Sequence, residues 1–396
     1  MRTQVGIVGA GPAGLVLARL LHLAGIESIV VEARSRKHVE ERVRAGVLEQ
    51  GSADLMAEIG AGERMKSLAL EHRGIELRFN RQPHRIDLHE LTGRSIFIYG
   101  QNKVVQDLTD LNLSQGGQIF FEAEAAAIED LDTVRPSIRM SMGGEERKIV
   151  CDFIAGCDGF HGISRAAIPA ASKEEYERIY PFAWLGILSE MPPPCDELIY
   201  SHSPRGFALV SMRGRGRTRL YLQCEPDEDI ANWPDGRIWD ELRARLATAD
   251  GAFELNSGPV IQKGITGMRS FVVEPMQFGN MFLAGDAAHI VPPTGAKGMN
   301  LALADTVVLA RALAEYYRSK DRSLLNRYSE TCLKRVWRTQ RFSWWMTSML
   351  HSFGRENEDG ASRFDRRRQI AELEYVVGSR AAATSLAENY AGLPIA

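Results

Sequence analysis

Four polar residues on a glycine-rich hairpin carry the clearest chemical signal in the sequence. Residues 214–217 alternate glycine and arginine between two strand-like runs, which is typical of a hairpin turn. Side chains two positions apart on a strand point to the same side, so Ser211 pairs with Arg213, and Arg219 pairs with Tyr221. A guanidinium beside a hydroxyl suits a carboxylate through charge-assisted hydrogen bonds. The hairpin therefore predicts a pocket for a small organic acid.

The same basic tract has a second interpretation, as a contact for RNA. Arg213, Arg215 and Arg217 alternate with glycines over residues 213–217. The chain as a whole, however, has 48 lysines and arginines against 51 aspartates and glutamates, a formal net charge of −3. Binding to nucleic acid would favour a basic domain. We therefore expect no nucleic-acid partner, and we interpret Arg215 and Arg217 as solvated turn charges.

A glycine-rich loop near the start of the chain indicates a dinucleotide site. Gly9, Gly11 and Gly14 form the pattern G-x-G-x-x-G, directly after a strand-like run at residues 4–8 and before a leucine-rich helix. Such glycines allow a tight turn, close approach of the backbone to a pyrophosphate, and close packing of helix on strand. Glu32 ends the next strand-like run, where a carboxylate can accept from a ribose hydroxyl. Together these features predict dinucleotide binding.

Two later strand ends favour FAD over NAD as that dinucleotide. Residues 156–159 (Gly-Cys-Asp-Gly) and 285–289 (Gly-Asp-Ala-Ala-His) each follow a buried strand, and a simple dehydrogenase needs neither. Asp286 can bind a sugar hydroxyl, although an aspartate there can also merely cap a turn. A helix that begins near Gly298, with Asn300 in its first turn, would point its positive end at the flavin and stabilise the anionic reduced ring.

The order of strand-like and helical segments predicts a mixed α/β fold. We expect a Rossmann-type FAD-binding domain, an interleaved substrate-binding β-sheet layer and a C-terminal helical region. The expected boundaries are 1–180 for the FAD-binding domain, with 73–98 contributing to the substrate layer, 181–268 for the sheet domain, 269–349 for the return to the FAD-binding domain with a long helix, and 350–396 for the C-terminal helical and interface region. Within the last region a loop is expected near residues 354–360. The aromatic run at 342–346 fits the core better than a subunit contact.

Composition and cysteine usage bear on metals, membranes and compartment. The five cysteines contain no CxxC pair, so we expect neither a zinc site nor a disulfide framework, as suits a reducing cytosol. Hydrophobic residues make up 44% of the chain and charged residues 25%, which is ordinary for a globular protein. No apolar run approaches the roughly 20 residues of a membrane helix, and the first strand starts too early to leave room for a secretory signal. We expect a cytoplasmic protein without a metal.

Several separated segments resemble the 4-hydroxybenzoate 3-monooxygenase family of flavoprotein aromatic hydroxylases. They are residues 44–50 (Arg-Ala-Gly-Val-Leu-Glu-Gln), 157–165 (Cys-Asp-Gly-Phe-His-Gly-Ile-Ser-Arg), 269–276 (Arg-Ser-Phe-Val-Val-Glu-Pro-Met), 285–300, and 387–390 (Ala-Glu-Asn-Tyr). The resemblance runs from about Thr3 to Pro394. It implies a FAD-dependent monooxygenase, usually a homodimer, that converts 4-hydroxybenzoate to 3,4-dihydroxybenzoate. NAD(P)H and O2 would be the co-substrates, and a flavin C4a-hydroperoxide the oxygenating species.

The resemblance also implies which residues contact the two nucleotides. The expected FAD contacts are Gly9, Gly11, Gly14, Glu32, Arg44, Gln101, Asp286, Gly298 and Asn300. The expected contacts of the nicotinamide nucleotide are Arg42, Arg44, His161, Arg165 and Arg269. Clustered arginines and a histidine suit phosphates that bind only transiently, although a single arginine is more often a solvated surface charge.

The resemblance further implies a substrate site with two poles. Ser211, Arg213 and Tyr221 would hold the substrate carboxylate, and Arg219 would lie between the substrate and the flavin. At the other pole, Tyr200 would hydrogen-bond the substrate phenol, supported by Tyr390 and connected to solvent by His72. Pro293 would offer its carbonyl to the same phenol, with Thr294 beside it, and Trp184 would shape the pocket. Taken singly, each tyrosine is more often a packed core residue.

One segment departs from the family pattern. The best-known members carry an arginine directly after the strand-ending acid and a tyrosine five positions later, where this chain has Ala33 and His38. That segment governs the choice between NADPH and NADH in the family. Arg34, Arg36 and Lys37 can still pair with a 2′-phosphate, which favours NADPH, and use of NADH stays open.

Two alternative functions stay open from the sequence. One is a FAD monooxygenase for a related acid, 3-hydroxybenzoate or 3,4-dihydroxybenzoate. The other is a non-catalytic flavin-binding redox sensor, which would not need the polar hairpin pocket. Retention of the polar residues at both poles favours the para-hydroxy acid.

Overall fold

The protein is described by a computed structural model that covers residues 1–42, 44, 46–353 and 360–394, with only the backbone of 360–362. The strands, in chain order, are β1 Val5–Val8, β2 Ser28–Val31, β3 Val47–Glu49, β4 Leu70–His72, β5 Gly74–Phe79, β6 Gln82–Asp87, β7 Ile96–Ile98, β8 Gln118–Phe120, β9 Ala123–Glu129, β10 Ser137–Met142, β11 Glu145–Val150, β12 Phe153–Gly156, β13 Glu174–Ser189, β14 Leu198–Ser201, β15 Ala208–Met212, β16 Thr218–Cys224, β17 Val260–Glu274, β18 Gln277–Phe278, β19 Met281–Leu283 and β20 His289–Ile290.

The α-helices alternate with these strands at first and then dominate the last quarter of the chain. They are α1 Pro12–Leu23, α2 Arg36–Glu41, α3 Gln50–Glu58, α4 Glu63–Leu68, α5 Leu88–Thr92, α6 Gln101–Ser114, α7 Asp235–Leu246, α8 Gly298–Ser319, α9 Ser323–Asn326, α10 Tyr328–Leu350, α11 Gly360–Gly378 and α12 Arg380–Ala391. Across the described ranges, none of these helices combines the length and apolarity needed to cross a membrane.

A six-stranded, mainly parallel sheet in the order β18-β19-β12-β1-β2-β8 forms the nucleotide-binding half. β1 is an uninterrupted apolar run because both of its faces are buried. Val8 pairs with Gly156 on one side and Val31 on the other, so three strands end at the same level. The loops that follow these strands therefore meet at one edge of the sheet, which is where parallel α/β sheets bind ligands.

An eight-stranded sheet in the order β20-β17-β13-β16-β15-β14-β5-β6 forms the second half. Its register sets which side chains share a face, because residues directly opposite each other on paired strands point the same way. Tyr200 pairs with Leu209, Leu209 with Tyr221, and Ser211 with Arg219. Tyr200, Ser211, Arg219 and Tyr221 consequently all project from one face of this sheet.

The C-terminal helices cover that face. A buried cluster joins Tyr200, Trp184 and Phe207 of the sheet side to Met346 of α10 and Tyr390 of α12. The opposite face packs against α7 through a separate cluster that includes Trp239. Tyr200 is thus buried between the sheet and the helices, while Arg213, Arg219 and Tyr221 at the hairpin are half-buried.

The predicted mixed α/β class with a nucleotide-binding half, an interleaved sheet and a helical end is confirmed. Residues 73–98 contain β5 and β6 of the eight-stranded sheet and also a short helix, α5, at Leu88–Thr92. Phe342 and Met346 are buried as expected for a core, but Trp344 is 42% exposed, because α10 presents only one side to the sheet. Of the predicted loop at 354–360, residues 354–359 lie outside the described residues. The domain boundaries stay a prediction.

Candidate active site

The first glycine loop has the close approaches that its spacing predicts. Gly9 has a φ of +103°, and a Cβ there would lie 2.4 Å from the carbonyl oxygen of Cys157. A Cβ on Gly14 would lie 2.0 Å from the carbonyl oxygen of Gly9, so only glycine lets α1 pack this closely on the turn. Gly11 has nothing within 4 Å of the corresponding position. The loop is therefore closed on the protein side and open on the side where a pyrophosphate would lie.

Glu32 and the start of α1 complete this part of the site. The Glu32 carboxylate accepts from the backbone N–H of Ala10 and of Arg34, both at 2.8 Å, and so is fixed beside the loop at the end of β2. α1 has no side-chain cap and no acid in its first turn. Its free N–H groups are therefore available to an anionic group.

The Gly285–Asp286 loop lies at the same sheet edge, next to the Gly156–Gly159 loop. Asp286 is half-exposed, and its carboxylate accepts from Arg44 at 3.3 Å, so these two expected FAD contacts face each other. In the neighbouring loop, Asp158 accepts from the N–H and hydroxyl of Ser164 at 2.9 Å. Asp158 was not among the predicted site residues, although it stands within the Gly-Cys-Asp-Gly run of this loop.

The helix that faces the expected flavin position begins at Gly298, as predicted. A Cβ on Gly298 would meet nothing within 4 Å, and the first turn carries neither a cap nor an acid. The Asn300 amide accepts from the Glu49 N–H and donates to the Val47 carbonyl, both at 2.9 Å, so it joins α8 to β3. Gln101 stands at the first position of α6, directly after β7.

The residues expected to contact the nicotinamide nucleotide fall into two groups. His161, Arg165 and Arg269 gather around Phe160, with the two guanidiniums 4.5 and 4.8 Å from its ring centre. Arg165 is also held by the carbonyl oxygens of Ala287 and Phe160, and Arg269 by an ion pair with Glu177.

The second group is the exposed pair Arg42 and Arg44. Partial desolvation lowers the pKa of Arg42, and the charge of Arg44 adds to this effect. The carboxylates of Asp286 and Glu32 partly offset it. Arg42 thus belongs to the electrostatic surroundings of the FAD loops rather than to the Phe160 cluster.

The hairpin brings the predicted carboxylate-binding residues together. Arg213 donates to the Ser211 hydroxyl at 3.1 Å and to the Met212 carbonyl at 2.9 Å, and neither acceptor carries a charge. Within the described part of the chain, the Arg213 Nε is buried without a hydrogen-bond partner, and so is one terminal nitrogen of Arg219. Burial lowers the pKa of Arg213, and Arg219 adds to that effect, whereas Tyr221 opposes it. Two guanidiniums of one hairpin with unfilled donors could hold an anionic group such as a carboxylate.

A glycine of β13 opposite Tyr221 leaves room for the end of the Arg219 side chain. Gly186 pairs with Tyr221, and a Cβ on Gly186 would lie 2.7 Å from a terminal nitrogen of Arg219. The Arg219 guanidinium lies 5.3 Å from the Tyr221 ring centre. A larger residue at 186 would therefore force the end of the Arg219 side chain to move.

At the other pole, the hydroxyls of Tyr200 and Tyr390 contact each other directly across 190 positions of sequence. Both side chains are 1% exposed, and burial raises the pKa of each phenol above its ordinary value. Both phenols therefore stay protonated near neutral pH, and the hydrogen-bonded pair can relay a proton from one hydroxyl to the other.

His72 lies fully buried at the end of β4, and neither ring nitrogen has a hydrogen-bond partner among the residues described. The structure therefore does not join it to Tyr200 or Tyr390. Burial lowers the pKa of His72 to about 4, although the carboxylates of Glu197 and Asp196 oppose that shift. With this pKa the buried imidazole is neutral near pH 7 and only a weak proton acceptor, so its place at the solvent end of a relay stays a prediction.

The Pro293–Gly295 turn and Trp184 supply the remaining predicted walls. Thr294 is fully buried, and its hydroxyl lies 2.9 Å from that of Thr347 on α10. Pro293 is exposed beside it. Trp184 packs 4.9 Å from the Tyr221 ring, centre to centre, on the same face of the sheet.

A buried ion pair that the sequence reasoning missed connects the two halves of the site. Lys297, only 3% exposed, donates to the Glu49 carboxylate at 2.7 Å and to the Tyr390 carbonyl at 2.8 Å. Burial lowers the pKa of Lys297 and Glu49 opposes that shift. The pair fixes the backbone of Tyr390 relative to the start of α8. A lysine one position before the flavin-facing helix was the available signal, but its partners are 248 and 93 positions away.

Comparison with known proteins identifies the family. Residues 2–343 match the FAD binding domain family. Over its full length the chain is 48% identical to p-hydroxybenzoate hydroxylase of Acinetobacter baylyi, covering 96% of that protein. It is 24% identical to pentachlorophenol 4-monooxygenase of Sphingobium chlorophenolicum, covering 81% of this chain and 60% of that protein. The crystal structure of p-nitrophenol 4-monooxygenase from Pseudomonas putida shares the fold, with a TM-score of 0.83, 19% identity and 99% of each chain covered.

The residues present fit the cofactor of that family. The glycine loop leaves an open side at Gly11, Glu32 is fixed at the ribose position, and two uncapped helix starts face the sheet edge. The family expected from the motifs is thereby confirmed. The chain belongs to the FAD-binding family of flavoprotein aromatic hydroxylases that includes p-hydroxybenzoate hydroxylase.

Proposed function

We propose that the chain hydroxylates 4-hydroxybenzoate at the 3-position, giving 3,4-dihydroxybenzoate with NAD(P)H and O2 as co-substrates. When bound, FAD takes a hydride from the nicotinamide and activates O2 for transfer of one oxygen atom to the aromatic ring. The observation that carries the proposal is the pair of unfilled guanidinium donors, on Arg213 and Arg219, on the same sheet face as the Tyr200–Tyr390 pair.

The carboxylate end of the substrate is assigned to the hairpin. Arg213 would form a charge-assisted bond with the carboxylate, with the Ser211 and Tyr221 hydroxyls beside it. This interaction fixes the direction of the ring, so that its other end lies toward Tyr200. Arg219, across from Gly186, would separate the substrate from the flavin.

The phenol end is assigned to proton transfer. An aromatic ring attacks an electrophilic oxygen far better as a phenolate, and a free phenol titrates near pH 10, like tyrosine. Tyr200 would take the substrate proton while its own proton passes to Tyr390. Tyr390 would in turn release its proton toward His72 and solvent. Because Tyr200 stays protonated between turnovers, it then donates to the phenolate oxygen.

The enclosed position of the pocket supports the same chemistry. The sheet and α10–α12 exclude bulk water from the face that carries Tyr200. Water exclusion protects an activated oxygen species from unproductive decay to H2O2.

The test measures NADPH oxidation by the FAD-loaded protein with and without 4-hydroxybenzoate, together with chromatographic identification of the product. We expect strong stimulation and one 3,4-dihydroxybenzoate per NADPH. Stimulation and product with 3-hydroxybenzoate or 3,4-dihydroxybenzoate instead would replace the substrate assignment. No stimulation by any of the three acids would favour the redox-sensor alternative.

We further propose NADPH as the preferred reductant. Arg36 is engaged with Glu40 and Asp110, so the exposed Arg34 and Lys37 are the side chains assigned to the 2′-phosphate. Initial rates with NADPH and NADH in Arg34→Ala test this, with Arg36→Ala as the matched control. The NADPH preference should fall in the first variant and persist in the second.

We also propose a homodimer in the cytoplasm. Trp337 and Trp344 are 43% and 42% exposed and seven positions apart on α10, so they lie on one helix face as a paired apolar surface. The five cysteines are all free, as a reducing compartment favours. Light scattering should give twice the chain mass, falling to one chain in Trp344→Glu; a monomeric wild type would refute the dimer.

A further inference from the structure

The C-terminal end of α10 makes a hydrogen bond to a wall of the substrate pocket. Trp184 Nε1 lies 2.7 Å from Nε2 of His351, the first residue after the helix. An indole N–H can only donate, so Nε2 is the acceptor. The ring proton is then on Nδ1, which lies 3.0 Å from the Thr347 carbonyl oxygen. His351 thus has a fixed neutral tautomer with one donor and one acceptor, both used.

Aromatic rings on both sides fix the orientation of the His351 ring. It stacks on Phe182 at 4.7 Å and packs at a tilt of 30° against Phe207 at 4.2 Å, centre to centre. Trp184 also stacks on Phe207, at 5.2 Å. Full burial in this stack lowers the pKa of His351 to about 3. The acceptor offered to Trp184 is therefore constant at physiological pH.

The backbone around His351 is tied to two other elements. Gln369 on α11 donates to the His351 carbonyl at 2.6 Å. Gln223 on β16 donates to the Ser352 carbonyl at 2.6 Å and accepts from the Ser352 N–H at 3.1 Å. One turn earlier, Thr347 bonds Thr294. The end of α10 therefore holds two pocket walls, Trp184 and the Thr294 turn, in one arrangement.

We propose that His351 is a positioning residue that holds the Trp184 indole as a wall of the substrate pocket and so sets the affinity for the benzoate ring. The ligand in this inference rests on the proposed function; the contact does not. Without that acceptor, the buried indole N–H has no other hydrogen-bond partner among the residues that the structure describes. The indole then turns toward the polar groups of the pocket, and the substrate has to displace it.

The first measurement does not depend on substrate. In protein labelled with 15N at its six tryptophans, the Trp184 indole resonance is assigned by its loss in Trp184→Phe. His351→Phe keeps the aromatic stack and removes the acceptor, whereas His351→Gln retains one donor and one acceptor. We expect the Trp184 resonance to shift and its solvent exchange to accelerate in H351F, and to change little in H351Q. If the phenylalanine variant does not fold, His351→Leu also removes the acceptor, and the same change of the Trp184 resonance is expected.

The second measurement is a titration of the FAD-loaded variants with 4-hydroxybenzoate, followed by the flavin absorbance. We expect the Kd to rise about tenfold in H351F, with kcat within about twofold, and to rise less than about threefold in H351Q. Ser348→Ala is the matched control: its hydroxyl bonds the Trp345 carbonyl on the same helix end, and its Kd should equal that of the wild type.

A double-mutant cycle decides whether His351 acts through Trp184. In the Trp184→Phe background, which has no N–H to satisfy, H351F should leave the Kd unchanged. The inference is overturned if H351F raises the Kd equally in both backgrounds, or if H351F and H351Q both match the wild type. Failure of 4-hydroxybenzoate to bind the wild-type protein would instead refute the proposed function, and the Trp184 resonance would still test the contact.

Discussion

The two halves of the site are built by different means. In the nucleotide half, Gly9, Gly11 and Gly14 contribute backbone and empty space, and one carboxylate, Glu32, is fixed by main-chain N–H groups. In the substrate half, the proposed binding groups are side chains such as Arg213 and Tyr200, which come from different segments of the sheet and contact Ser211 and Tyr390. A site made of backbone tolerates almost no added atom, whereas a site made of side chains loses one interaction at a time.

The largest expected effect is a steric one in the nucleotide half. Gly14→Val places carbon atoms against the Gly9 carbonyl oxygen, which a Cβ alone would approach to 2.0 Å. Neither backbone can move without separating α1 from β1, so we expect the FAD Kd to rise at least about 1000-fold, or about 4 kcal/mol. Absorbance of the purified protein measures retained flavin. Gly236→Ala in α7, with nothing within 4 Å, is the control; flavin retained at wild-type affinity in G14V would break the comparison.

The next effect removes one side chain from the substrate half. Arg213→Ala leaves the substrate carboxylate without its charged partner in a half-buried site, so we expect the KM for 4-hydroxybenzoate to rise about 100-fold. FAD binding should be unchanged, which separates the two halves. Steady-state rates of NADPH oxidation measure the KM, and Arg215→Ala, an exposed arginine in the same turn, is the matched control. A wild-type KM in R213A would contradict the assignment.

A smaller effect is expected when only a hydroxyl is lost. Tyr200→Phe keeps the ring and its packing but removes the contact with Tyr390 and the proposed donor to the phenol. NADPH oxidation should continue, while product per NADPH falls about tenfold and H2O2 accounts for the difference. Product and peroxide are measured together, with Tyr375→Phe on the exposed side of α11 as control. Undiminished coupling in Y200F would remove the tyrosine pair from the mechanism.

A last effect, spread over several pH units, concerns stability and pH. His72 has a pKa of about 4 when folded, because it is buried, against about 6.5 when unfolded. Between these values the unfolded chain binds more protons, so His72 makes the protein less stable as the pH falls from 6.5 toward 4, by at most about 1.4 kcal/mol per pH unit. His72→Gln should therefore lose less stability than the wild type over that range.

Thermal unfolding midpoints between pH 4.5 and 7 measure this difference. His22→Gln, at an exposed position of α1, should follow the wild-type pH dependence. Parallel curves for H72Q and the wild type would show that His72 is not the buried neutral group assigned to the relay.

Much of the nucleotide half could be predicted because its determinants are local. The G-x-G-x-x-G loop, the acid at the end of β2 and the start of α8 at Gly298 each follow from short runs of sequence whose backbone requirements are strict. A spacing of two positions on a strand was likewise enough to predict that Ser211 and Arg213 lie side by side. The hydrophobic periodicity of α10 and α12 could not predict that these helices pack on the sheet face that carries Tyr200.

What the sequence by itself determined is therefore the set of elements, the cofactor loop and the facing of residues within each strand, since these depend on neighbouring residues and on the period of the backbone. The tertiary structure alone decided which distant side chains meet. Lys297 bonds Glu49 across 248 positions, and Trp184 bonds His351 across 167. No local pattern encodes such pairs, because they arise only when the register of the sheet and the packing of the last helices bring separate segments into one buried space.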